Sequence, residues 1–196
     1  MEPKVTRLSP LLHELGAAMD AAGATFTSYA YPGISDDEID ELLAPTGLGV
    51  PTELREWWRW HHGSRVDVPL TGNHEIGPGG WGLMTIPQAL DDRALWLEQM
   101  PSEEDGGWRL GWLPFAAGRF GHHRLVARLD ESTDDELCVG ISWVFDVPPD
   151  DPIERSLAAV VETWLRAIGD GYYTWNGVAW IRGARFRELP YYASYT

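Results

Sequence analysis

The chain has 196 residues, 44% hydrophobic and 23% charged, which is the balance of a soluble globular protein with a sizeable core. A formal charge of −15 repels nucleic-acid phosphate and anionic lipid and attracts a basic partner. No apolar run approaches the roughly 18 residues needed to cross a bilayer, no secretory signal opens the chain, and the single cysteine, Cys138, excludes an intrachain disulfide, so a cytoplasmic protein is expected.

In chain order, the spacing of Leu11, Leu12, Leu15 and Met19 predicts a helix over 10–22, with Pro10 in its first turn and Gly23 at its end. The aromatic, Thr-rich stretch 24–31 reads as extended. Ser35 stands three residues before Glu38, the capping-box spacing. Asp36 and Asp37 then fall in a first turn, where the helix dipole favours acid. After Pro51, the residues Leu54, Trp57, Trp58 and His61 form one apolar helical face, which Gly63 is placed to close. Residues 64–80 read as a long loop.

Thr85 and Gln88 repeat the capping-box spacing and open a helix to about Met100. "PSEEDGG" is an acidic turn. Strands are expected at 112–116, 124–129 and 137–145, with "DESTDDE" as a solvated connection between the last two. Asp151, Pro152 and Glu154 open the most amphipathic helix, over 153–169, and Asn176-Gly177 marks a hairpin. Short links between strands predict an α+β fold in one domain spanning 1–196. Its central sheet is predominantly antiparallel and flanked by helices, and residues 1–30 supply an N-terminal helix and an extended segment.

No motif nominates a reaction. "GPGGWG" at 77–82 satisfies the dinucleotide spacing G-x-G-x-x-G, but no strand precedes it and no helix starts at its last glycine. His61-His62 and His122-His123 belong to no metal-binding helix motif, and adjacent strand residues point to opposite faces. "DESTDDEL" lacks the glycine and the glutamate of a calcium loop. Ser142 lies in "GISWV", where Val144 replaces the second glycine of a nucleophile elbow. Cys138 sits among Leu137, Val139 and Ile141 as a small buried hydrophobe. Most of the acids cluster at helix starts and turns, and nothing selects a glycosidase pair among them. No catalytic residue, metal site or cofactor is therefore expected.

Three blocks resemble the SMI1/KNR4 family, in the SUKH superfamily of bacterial immunity proteins. They are "PGISDDEIDELLAPTGLGVPTELREWWRWHHG"; "WGLMTIPQAL" followed by "WLPFA"; and "VGISWVFD" leading to "SLAAVVETWLRAIGDGYY". The resemblance covers about 30–180. The chain departs from it at Gly121-His122-His123, where many relatives carry Gly-Asp, and in the segments 64–80 and "DVPPDDPIE".

The resemblance implies a non-catalytic bacterial protein that binds and neutralises a cognate toxin domain with a basic surface, such as a nuclease. The alternative it implies, second to this, is a regulatory interaction protein tied to cell-wall or envelope assembly, without a toxin partner. Variable loops on a shared scaffold are where specificity sits. The partner-binding candidates are accordingly Asp67, His74, Glu75 and Trp81 around the loop 64–81, and Glu103, Glu104 and Asp105 in the acidic turn. A protein partner is expected, with neither nucleic acid nor membrane.

Overall fold

The computed structural model describes residues 5–24, 26–65, 75–78, 80–100, 108–118, 123–143 and 152–190. These form the α+β architecture expected, with an antiparallel sheet and helices on its faces. No helix among them is long and apolar enough to cross a membrane.

Helix α1 (Leu8–Ala21) buries Leu8, Leu12, Leu15 and Met19, one stripe at helical spacing. At about 1.5–3 kcal/mol for each fully buried Leu or Met side chain, that stripe holds the helix down. Gly23 ends it at φ 85°. The segment after it is not uniformly extended. Phe26–Ser28 form one turn of 3-10 helix, because that turn carries the Phe26 ring inward to stack on Trp60, 5.6 Å between centroids. Strand β1 (Ala30–Pro32) follows.

Helix α2 (Asp36–Leu43) carries the predicted capping box, Ser35 and Glu38 each satisfying the other's backbone N–H. Helix α3 (Thr52–Trp60) buries Leu54, Trp57 and Trp58, and Trp57 meets Phe115 edge to face at 5.5 Å. It stops before His61, contrary to the reading of His61 as part of its face. His61 opens β2 (His61–Ser64), where antiparallel pairing with β1 replaces helical bonding and the His61 ring contacts the Tyr31 carbonyl at 2.9 Å. Gly63 thus lies in a strand.

Strands β3 (Glu75–Ile76), β4 (Trp81–Leu83), β5 (Trp112–Gly118), β6 (His123–Arg128) and β7 (Val139–Trp143) form one sheet in that spatial order, every pair antiparallel. The 64–80 stretch is therefore not all loop, since it completes β2 and supplies β3. Helix α4 (Ile86–Gln99) begins at the predicted Thr85–Gln88 box and packs on β5. Leu113, Phe115, Leu125, Ala127, Val139 and Ile141 join the main core with α1, α3 and the last helix, α5 (Leu157–Gly169). Trp96, Trp108, Trp112 and Val126 make a second, smaller cluster.

Helix α5 starts four residues later than the sequence suggested. Ile153 and Glu154 hydrogen-bond with Val139 as a short extension of the sheet edge, and the chain turns into helix only after Ser156. Strands β8 (Tyr173–Trp175) and β9 (Trp180–Arg182) form the last hairpin. Its loop has four residues rather than two, because the Asn176 side chain accepts the N–H groups of Val178 and Ala179.

Candidate protein-binding surface

Strict antiparallel order has a geometric consequence. Strands β3, β5 and β7 run in the same direction, so Glu75, Trp112 and Val139, which open them, stand at the same end of the sheet. The described segment that leads into β7 there, 129–138, carries Asp130, Glu131, Asp134, Asp135 and Glu136. The turn 77–80 between β3 and β4 lies at the opposite end.

The segment 129–138 is firmly built. Glu131 N–H donates to the Arg128 carbonyl at 3.1 Å and Thr133 N–H to the Glu136 carbonyl at 3.1 Å. The Ser132 hydroxyl donates to the Arg128 carbonyl and accepts Cys138 N–H, while the Thr133 hydroxyl accepts Glu136 N–H at 3.0 Å. The carbonyls of Asp134 and Asp135 receive the N–H groups of Thr52 and Glu53, two donors that a helix start leaves unsatisfied. Asp134 itself is exposed.

Asp130, Asp134 and Glu136 have no cation partner among the described residues, in contrast to other acids. Glu131 is held by Arg128 at 3.0 Å and Arg109 at 3.5 Å, both stacked over Trp112. Asp36 and Asp40 bind Arg59 at 2.8 Å and Arg55 at 2.6 Å. Beside the unpaired acids lies an open cleft of about 390 Å³ lined by Gly49, Val50, Pro51, Leu129, Ser132, Thr133 and Asp134.

The ends of the acidic turn are also fixed. Trp108 N–H donates to the Met100 carbonyl at 3.0 Å, and the Trp96 and Trp108 rings stack at 5.2 Å. The Arg93 guanidinium donates to the carbonyls of Leu110 at 2.5 Å and Trp112 at 3.2 Å. Burial there pulls the Arg93 pKa below its ordinary value.

Of the residues expected at an interface, Asp67, His74, Glu103, Glu104 and Asp105 lie outside the described residues. Glu75 is buried in β3. Trp81, expected as an exposed aromatic, is a core residue with 0% exposure, its ring edge to face with His123 at 5.0 Å. The reason is its place in an interior strand: β4 is flanked on both sides, and the ring fills the space beneath it. Asp130, Asp134 and Glu136 are the residues that sequence reasoning passed over. Their run of like charge was visible, but which of its members lack a cation partner among the described residues needed the tertiary structure.

Other candidate chemistry stays structural. Among the described residues no group of three or more His, Cys, Asp or Glu converges as a metal site would require. Burial raises the Cys138 thiol pKa, the opposite of an activated thiolate. Ser142 is buried in β7.

The comparisons agree with the blocks read from the sequence. The model of the SMI1 / KNR4 family (SUKH-1) matches residues 33–167, from the lead-in to α2 through most of α5. None of the curated proteins matches the chain.

Proposed function

Because the chain belongs to the SMI1/KNR4 family (SUKH-1), we propose that it is an immunity protein that neutralises a cognate toxin domain by stoichiometric binding. The observation that carries this reading is the exposed group Asp130, Asp134 and Glu136, which has no cation partner among the described residues and stands at the end of the sheet where β7 begins, in a chain of charge −15. A nuclease toxin must present a basic surface to its substrate, and such a surface would be drawn to this end. Asp130, Asp134 and Glu136 form its described part, and Asp67, His74, Glu103, Glu104 and Asp105 belong to the same proposed surface by their place in the chain. Trp81 drops out as a contact. Inhibition follows from occupying the toxin's substrate face, with no bond made or broken.

Co-expression tests the reading. The toxin to use is the variable C-terminal domain of a large secreted protein encoded beside this chain's gene. Cells making both should survive and yield a complex of fixed stoichiometry. Death despite soluble expression of both chains would overturn neutralisation.

A further inference from the structure

The open cleft beside the β6–β7 connection combines an apolar lining with a charge of one sign. One wall is the lead-in to α3, with Gly49, Val50 and Pro51, and the other holds Leu129, Thr133 and Asp134. Val50 and Leu129 pack against the main core yet are only half-buried, so each leaves apolar surface to solvent. The two walls are tied together. The Asp134 carbonyl accepts Thr52 N–H at 2.9 Å and the Thr52 hydroxyl at 3.1 Å, and the Asp135 carbonyl accepts Glu53 N–H at 3.0 Å. The cleft is therefore formed before any partner arrives, and binding in it costs little ordering of this chain.

Neither 44–54 nor 129–138 contains a lysine or an arginine, whereas 129–138 holds five acids. Asp134, on the cleft wall, is exposed and has no cation partner among the described residues. An anion is repelled here, and a small hydrated cation leaves the apolar lining unused. A long cationic side chain satisfies both parts. Its methylene stem covers Val50, Pro51 and Leu129 while its charged head stays at the wet rim beside Asp134. The volume, about 390 Å³, suits one such side chain better than a folded segment. Gly49 helps to keep the space clear, since a Cβ there would meet nothing within 4 Å.

We infer that this cleft is a socket for one arginine or lysine side chain of the protein partner, the anchor around which the exposed acids steer. A cationic side chain seated in a preformed pocket at the centre of a charged surface is the arrangement that concentrates binding energy in few residues. The inference rests on the proposed toxin surface for the identity of the partner, while recognition of the cationic side chain is measurable without any toxin.

A nuclear magnetic resonance titration of the isotope-labelled full chain tests it, with N-acetyl-arginine amide as the probe and N-acetyl-norleucine amide as the apolar comparison. Saturable shifts of the Val50, Leu129, Thr133 and Asp134 amides are expected with the arginine probe. Asp134→Asn should weaken its binding about threefold or more, the scale of a solvent-exposed ion pair. Gly49→Leu, which keeps every charge, should weaken it by narrowing the cleft, and the exposed Asp134→Asn change carries the test if that variant fails to fold. Absence of saturable shifts, unchanged affinity in Asp134→Asn, or equal binding of the norleucine compound would each overturn the socket. So would shifts of the same size at Asp37 and Glu41 on α2, which mark general charge screening. Failure of the two readings is separable: probe binding with death on toxin co-expression removes neutralisation alone, and a neutralised toxin with a silent probe removes the socket alone.

Discussion

Glu53 on α3 accepts a 2.7 Å hydrogen bond from the hydroxyl of Ser156, 103 residues later in the chain. The same buried carboxylate takes the backbone N–H groups of Leu157 at 2.8 Å and Ala158 at 3.2 Å, so it caps α5 from another helix. Its second oxygen also takes Leu137 N–H at 2.8 Å, just before β7. One turn on, Glu56 performs the same service for α1, accepting from Thr6 N–H and hydroxyl and from Ser9 N–H at 3.1 Å. Helix α3 therefore holds the starts of two other helices with two inward carboxylates one turn apart.

Glu53→Ala leaves three buried N–H donors without an acceptor, and it should destabilise the protein by about 3 kcal/mol or more in urea unfolding. Glu56→Ala should act more locally. Hydrogen exchange is expected to speed up across α1 well before α5. Equal acceleration in both helices would contradict separate caps.

Stability should fall on mild acidification. The His62 ring nitrogen Nε2 accepts Ile86 N–H at 2.9 Å, which requires a neutral ring. Burial holds the pKa of both His61 and His62 below the ordinary value of 6.5, with Glu38 opposing the shift at His62 and His13 adding to it at His61. The unfolded chain thus takes up protons first as pH drops. The contribution is complete above about 6.5 and is lost as pH falls from there through the lowered folded-state pKa values. Melting temperature measured from pH 8 to 5 should show this decline, and His62→Gln, which keeps an acceptor, should flatten part of it.

Gly63 has φ +90°, and a Cβ there would stand 2.5 Å from Thr85 Cγ2 and 2.9 Å from Thr85 N. Gly63→Ala should cost at least about 2 kcal/mol, combining backbone strain with displacement of the α4 cap. A midpoint of chemical unfolding equal to the parent's would disprove the close approach.

For the proposed toxin surface, Asp134→Lys with Glu136→Lys should leave stability nearly unchanged, because both residues are exposed and neither has a cation partner among the described residues. The same pair should slow association with a basic toxin domain by roughly tenfold at low salt, with a smaller effect at high salt. Reversing Glu103, Glu104 and Asp105 to lysine tests the acidic turn in the same way. Stopped-flow rates across a salt series would measure both.

Much of the fold was legible because its signals are local. The capping boxes at Ser35–Glu38 and Thr85–Gln88, the stripe of α1 and the three long strands each follow from neighbours a few residues apart. Readings failed where a distant partner overrode local preference. His61 left its helix for β1, Ile153 and Glu154 paired with Val139 before α5 could start, and Trp81 became core because β4 is flanked on both sides.

The sequence by itself determined the charge, the family likeness, the α+β class and the absence of a catalytic motif, since these depend on composition and short-range spacing. Only the tertiary structure decided which acids are spent on Arg55, Arg59, Arg109 and Arg128 and which have no cation partner among the described residues. It alone showed that Glu53 and Glu56 are caps rather than surface charges. A carboxylate's role depends on what faces it, and here the facing groups come from as far as a hundred residues away.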